Sequence, residues 1–180
     1  MSENSFSVQA PMTPTAALMG KLVPPLAEEA SEAHMIAQER LAFRVGPIGM
    51  LIPGDAAREL VLPPSVSRLP HLPVWLLGVA NVRGMLLPVV DLSTAFGVEH
   101  DKQLRPYLLI VGVGEDAIGL LVDGLPLPRT LEAAERMSSI PPHPEFLNGH
   151  VTGGYERDGR VWLDTNVEDF IKTLGEHIAI

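Results

Sequence analysis

One arginine is set inside an otherwise apolar run, WLLGVANVRGMLLPVVDL from Trp75 to Leu92, and is flanked by Asn81 and Gly84. A guanidinium stripped of water without partners is costly, so Arg83 must be exposed or paired. Apolar segments on both sides of NVRG read as two strands that deliver a tight, surface-facing turn, and such a turn presents a fork of donors to a partner. Asn81 and Gly84 are turn formers that scaffold Arg83. Glu59 precedes an apolar Leu-Val-Leu run and is either an ordinary edge-strand charge or the counter-ion of Arg83.

Other chemistries leave weaker traces. Asp91, Asp123 and Asp164 each end an apolar strand, in VVDLS, LVDGL and WLDTN. Aspartic hydrolases place a carboxylate in a D-T-G turn, where two such groups share a proton. LDTN carries Asn166 in place of the glycine, and VDG lacks the hydroxyl residue. The alternative is an Asp that caps a turn through its own side chain. The histidines at 34, 71, 100, 143, 150 and 177 show no HxH or HExxH spacing and the chain has no cysteine, so no metal site is expected. Ser65, Ser67, Ser93, Ser138 and Ser139 lack a GxSxG context. Gly112 and Gly114 form a lone GxG that fits a hairpin better than a pyrophosphate cradle. Neither a catalytic residue nor a cofactor is expected.

These residues need elements to position them. At 180 residues and 46% hydrophobic content, the chain fits one domain or a tightly joined pair of small subdomains. The absence of cysteine fits a reducing cytosol. No apolar run approaches the roughly 20 residues of a membrane helix, and no secretory signal pattern opens the sequence. The net charge of −9 and 5% aromatic content argue against a nucleic-acid-binding barrel, which needs a basic groove and stacking platforms.

Residues 1 to about 25, rich in Ser, Pro, Thr and Ala, have the composition of a mobile tail. A short helix is expected over 26–38, where Leu26, Ala30, Ala33 and Ala37 recur at helical spacing. From Leu41 the texture becomes short apolar runs between Gly and Pro, which predicts an all-β domain with strands near 41–45, 48–52, 59–62, 77–82, 85–91, 106–113, 117–123, 126–131, 147–154 and 160–164. Ten short, bent strands imply barrels. Joins are expected at Gly46-Pro47, Gly114 to Asp116, Asp123-Gly124 and Asp158-Gly159, the last a pair that tolerates the positive φ of a hairpin. Val167, Phe170, Ile171, Leu174 and Ile178 follow helical spacing behind Thr165 or Asn166 as N-cap, so one amphipathic helix closes the domain. Trp75 and Trp162 read as core or inter-subdomain packing, with Trp75 the one placed to line a recognition surface.

In order along the chain, FRVGPIGMLIP, GVANVRGMLLPVVDL and GLLVDGL resemble the opening, centre and hairpin of the CheW-like domain, the coupling scaffold of bacterial chemosensory arrays. The resemblance covers about residues 40 to 172 and is most similar to coupling proteins of type IV pilus, or twitching-motility, chemosensory systems. It implies two SH3-like five-stranded barrels sharing a hydrophobic core, with residues 1–39 as an N-terminal extension and 40–176 as the CheW-like domain. It also implies a non-catalytic adaptor between the regulatory domain of a CheA-type histidine kinase and the cytoplasmic tip of a methyl-accepting chemoreceptor, located in the cytoplasm at inner-membrane receptor arrays. Neither nucleic acid nor direct membrane insertion is implied. Position by position, Asn81, Arg83 and Gly84 match the family's NxRG turn, Glu59 its acidic residue after the second strand, and Pro88 and Asp91 the following strand and turn. The apolar part of the contact is expected from Val82, Leu76 and neighbouring strand residues. The chain departs from the family at Pro53, Gly54, Ala56 and Ala57, where larger apolar residues are usual, and at Val82, which replaces a leucine. No kinase or receiver pattern accompanies the run, which points to a stand-alone adaptor.

Overall fold

The strands obey a period of two, and that alternation sorts their side chains among three separate cores. In a computed structural model that describes residues 39–178, the elements are β1 (Glu39–Val45), β2 (Ile48–Pro53), β3 (Ala57–Val61), β4 (Val66–Ser67), β5 (Leu76–Val82), β6 (Met85–Asp91), α1 (Leu92–Phe96), β7 (Pro106–Val111), β8 (Ile118–Thr130), β9 (Val151–Arg157), β10 (Arg160–Thr165) and α2 (Val167–Ile178). The expected N-terminal tail, the helix over 26–38 and the Ile178 side chain lie outside the described residues. The fold is mostly β with a C-terminal helix. The strands hydrogen-bond in the order β4-β5-β6-β8-β1-β2-β10-β9, with β7 pairing β8 and β3 pairing β7.

On β1, Phe43 and Val45 enter the largest core while Ala42 turns to the opposite side. Met50 and Ile52 of β2 join the same large core, and Leu51 joins Ala42, Leu131 and Trp162. Likewise Leu109 and Val111 of β7 face the large core, whereas Leu108 and Ile110 pack with Ala80, Val82, Leu87 and Val89. Successive residues of a strand point to opposite faces, so these three strands each line two apolar interiors. Helix α2 closes the shared core with Val167, Phe170, Ile171 and Leu174, all buried. Its start is fixed by Asn166, whose Oδ1 accepts from the Asp169 N–H at 3.3 Å and whose Nδ2 donates to Asp169 Oδ2 at 2.6 Å.

Four sequence expectations change. The strands expected at 117–123 and 126–131 are one, β8, of 13 residues. Asp123-Gly124 is not a reversal between them: Gly124 has φ +74, which redirects the strand from β7, where Asp123 opposes Pro106, to β1, where Leu127 opposes Ala42. The strand expected over 147–154 runs instead over Val151–Arg157, because Glu145–Leu147 forms a 3-10 turn that buries Leu147 completely. Helix α1 was not anticipated, although Asp91 is an N-cap and Gly97 a left-handed C-cap at φ +67. The two-residue strand β4 was also not anticipated, and it is too short to leave an alternating pattern.

Phe170 is 1% exposed and spans the α2 contact with the shared core. Phe170→Ala is expected to lower stability by about 3–5 kcal/mol, read as a reduced denaturant midpoint at unchanged m-value.

Candidate functional site

The β5–β6 hairpin has a two-residue loop, Arg83-Gly84, between Val82 and Met85, which pair directly. Both loop residues have positive φ, +52 and +87. Mirror-image turns of this kind match strand twist and favour Asn-Gly or Asp-Gly. The β9–β10 hairpin follows that preference, with Asp158 and Gly159 at φ +54 and +69. Arg83 does not. A side chain with no local turn chemistry holds a left-handed backbone there, at a strain of about 1–2 kcal/mol. Asn81 compensates in part, because its Oδ1 accepts from the Gly84 N–H at 2.8 Å and ties the loop to its own strand.

Arg83 Nη2 lies 2.9 Å from Glu59 Oε1 on β3, so of the two readings of Glu59 the counter-ion one describes the geometry. That oxygen is shielded from water and has no donor aligned on it. The contact is therefore a charge–charge approach without a well-formed hydrogen bond, and an exposed pair of this sort adds about 0–1 kcal/mol. The Arg83 side chain stays 81% exposed, so its remaining donors face solvent.

Leu76 and Val82 do not supply the apolar part of this surface. They are 5% and 6% exposed, in the shared core and in the β5–β6–β7 core respectively. Alternation places both inward. The exposed apolar groups beside Arg83 are Met85 and Leu86, at 41% and 71%. Leu86 opposes the exposed Asn81 across the hairpin, a relation between strands that the run of residues alone does not state. Trp75 is partly buried with its ring edge-on to Phe146 at 5.4 Å, and Trp162 is buried, so both serve packing.

The three strand-end aspartates have separate tasks. Asp91 caps α1, accepting from the backbone N–H and hydroxyl of both Ser93 and Thr94. Asp123 is buried, and its Oδ2 accepts from the N–H groups of Gly46 at 2.6 Å and Asp101 at 3.1 Å. His100 lies between them, its Nε2 3.0 Å from Asp91 and its Nδ1 2.6 Å from Asp123. Asp164 pairs with Arg40 at 2.8 Å and accepts from Thr152. None of these contacts is the shared-proton carboxylate pair of an aspartic hydrolase. Among the described residues no three His, Asp or Glu side chains converge on a possible metal position.

A model of the CheW-like domain matches residues 39–174. The chain is 35% identical over 89 residues to "Chemotaxis protein CheW" of Rhizobium meliloti, a match spanning 49% of this chain and 57% of that protein. It therefore spans little more than half the length of this rhizobial relative. It is 31% identical over 126 residues to "Protein PilI" of Pseudomonas aeruginosa, covering 68% of this chain and 69% of that protein. The solved scaffolding protein TtCheW of Thermoanaerobacter tengcongensis superposes with a TM-score of 0.60 at 21% identity, over 72% of this chain and 89% of that one, a likeness of fold.

Burial opposes the charge on Asp91, but hydrogen bonds from Ser93 and Thr94, with His100 beside it, outweigh burial and hold its carboxyl below the ordinary value of 3.8. A lowered carboxyl stabilises the fold fully above its unfolded pKa, and that contribution is lost as the pH falls through the folded value. Asp91→Ala should lower stability by about 0.5–2 kcal/mol at neutral pH through loss of the cap. In an acid-unfolding titration this deficit should shrink below about pH 4, where unfolded Asp protonates.

Proposed function

This chain belongs to the family of CheW-like domains, and from that premise we propose that it is a non-catalytic coupling protein of a bacterial chemosensory pathway. It holds the regulatory domain of a CheA-type histidine kinase against the cytoplasmic tip of a methyl-accepting chemoreceptor. The observation that carries this reading is the hairpin tip: a strained, 81% exposed arginine where the other mirror-image hairpin has Asp-Gly. A residue kept at a conformational cost that its weak ion pair with Glu59 does not outweigh is a candidate for recognition. Arg83 anchors the contact, Glu59 orients it, Asn81 and Gly84 shape the turn, and Met85 and Leu86 supply apolar area in place of Leu76 and Val82.

The branch we favour is type IV pilus control, supported by the GVANVRGMLLPVVDL wording and by the likeness to PilI. We read the fold as two SH3-like five-stranded barrels within residues 40–176, with 1–39 as an extension. The sorting of side chains into one shared and two lateral cores supports this reading. Such a protein works in the cytoplasm at receptor arrays. No helix among the described residues is long and apolar enough to cross a membrane, and the net charge of −9 disfavours nucleic acid.

Arg83→Ala should keep the fold and weaken binding to the cognate kinase and receptor fragment by about 1 kcal/mol or more, measured by co-sedimentation of the reconstituted ternary complex. Arg83→Asn should weaken binding equally while changing stability by between zero and a gain of about 1 kcal/mol, because Asn accepts the left-handed turn. Unaltered complex formation with both variants removes the hairpin tip from the interface.

A further inference from the structure

Away from the hairpin tip, β1, β10 and the C-terminal half of β8 line an open cavity of about 390 Å³ on the side opposite the shared core. Alternation along β8 puts Leu125, Leu127 and Arg129 on this one face, and the leucines are 59% and 52% exposed. Arg44 and Arg160 flank them. The chain as a whole carries a net charge of −9, yet Arg44, Arg129 and Arg160 touch no carboxylate among the described residues. The other two arginines of these strands and β9 are neutralised, Arg40 by Asp164 and Arg157 by Glu135. The acids that reach the cavity do not fill the gap, because Asp123 is occupied by Gly46, Asp101 and His100, and Asp101 accepts from the Gln103 N–H.

Two of the three cations are held in place. The Arg129 guanidinium sits 4.8 Å from the centroid of Trp162, a cation–π contact, and Arg44 Nη2 donates to the Gly46 carbonyl at 2.8 Å. An arginine fixed in this way loses little freedom when it binds a carboxylate. Pro126 and Pro128 remove two N–H donors from β8, so this strand resists extension of the sheet, and an occupant must lie across the side chains. Because Trp162 is buried beneath Arg129, no bare ring is offered for a nucleobase to stack on.

We propose that this face docks an acidic, aliphatic polypeptide segment of a partner protein, with carboxylates meeting Arg44, Arg129 and Arg160 and aliphatic side chains meeting Leu125 and Leu127. The inference stands apart from the hairpin-tip reading and shares no residue with it.

The test is selection of phage-displayed random peptides on the full chain, with counter-selection on the Arg44→Gln/Arg129→Gln/Arg160→Gln variant. The expected peptides interleave Asp or Glu with Leu, Ile or Val, bind the variant at least about tenfold more weakly and bind the corresponding triple Lys variant with an affinity between the two, because Lys keeps the charge without the guanidinium fork. Arg160→Gln alone, which breaks no ion pair or side-chain hydrogen bond among the described residues, should give part of that loss with an unchanged circular dichroism spectrum, so a misfolded triple variant does not decide the matter. Peptides without acidic enrichment, or indifferent to all these variants, overturn the proposal. So does displacement of the peptide by oligothymidylate or phosphatidylserine vesicles at lower concentration than by free peptide.

Discussion

The structure depends on strands that bury apolar side chains on both faces. Residues of β1, β2 and β7 alternate between the shared core and a lateral core, so a slip of one residue would exchange two complete sets of apolar contacts. In a sheet with one wet face, such a slip exposes one apolar row; here it disrupts two interiors together. Register is therefore tightly determined, and with it the position of each turn. The Arg83-Gly84 loop is placed by this constraint, since β5 and β6 carry Val82 and Leu87 into the lateral core directly behind it.

Charge follows the same division. The three strand-end carboxylates turn toward the junctions of the sheet, where they bind backbone N–H groups, His100 or Arg40. A buried carboxylate with several donors is a fixed structural element, because separating it from them leaves unpaired charge in a poorly solvated place. Among the cationic side chains left outside these networks are Arg83 at the tip of β5–β6 and Arg44, Arg129 and Arg160 on the outer face of β1, β8 and β10. In a chain of net charge −9, these are local exceptions, and each lies beside exposed aliphatic groups. Mixed surfaces of that kind give a partner both orientation and desolvation energy.

Much of this was legible in the sequence, and the limits have physical causes. The two mirror-image turns were readable because Asn-x-x-Gly and Asp-Gly state their own backbone requirement, and the C-terminal helix because its stripe recurs at helical spacing. Gly124 was misread since a positive φ serves a bend within a strand as well as a reversal between two. Asp91 is a recognisable capping residue, but the five-residue helix it starts is too short to show periodicity. Leu76 and Val82 were assigned to the surface because a run apolar on both faces does not say which side meets solvent. That information resides in the pairing of Asn81 with Leu86, a relation across strands rather than along the chain.

A coupling protein transmits a signal only if its contacts differ in free energy between the states of its partners. Residues sealed in three cores are poor carriers of such a difference, because packed interiors do not deform continuously. The carrier must be a group that keeps its geometry while its surroundings change. On the proposed reading that carrier is Arg83, whose backbone is fixed in a two-residue turn tied through Asn81 while its exposed side chain keeps its donors for a partner. The left-handed strain at Arg83 fits this role. Asn at that position would settle the turn more comfortably, but would carry neither the charge nor the reach that the proposed contact uses.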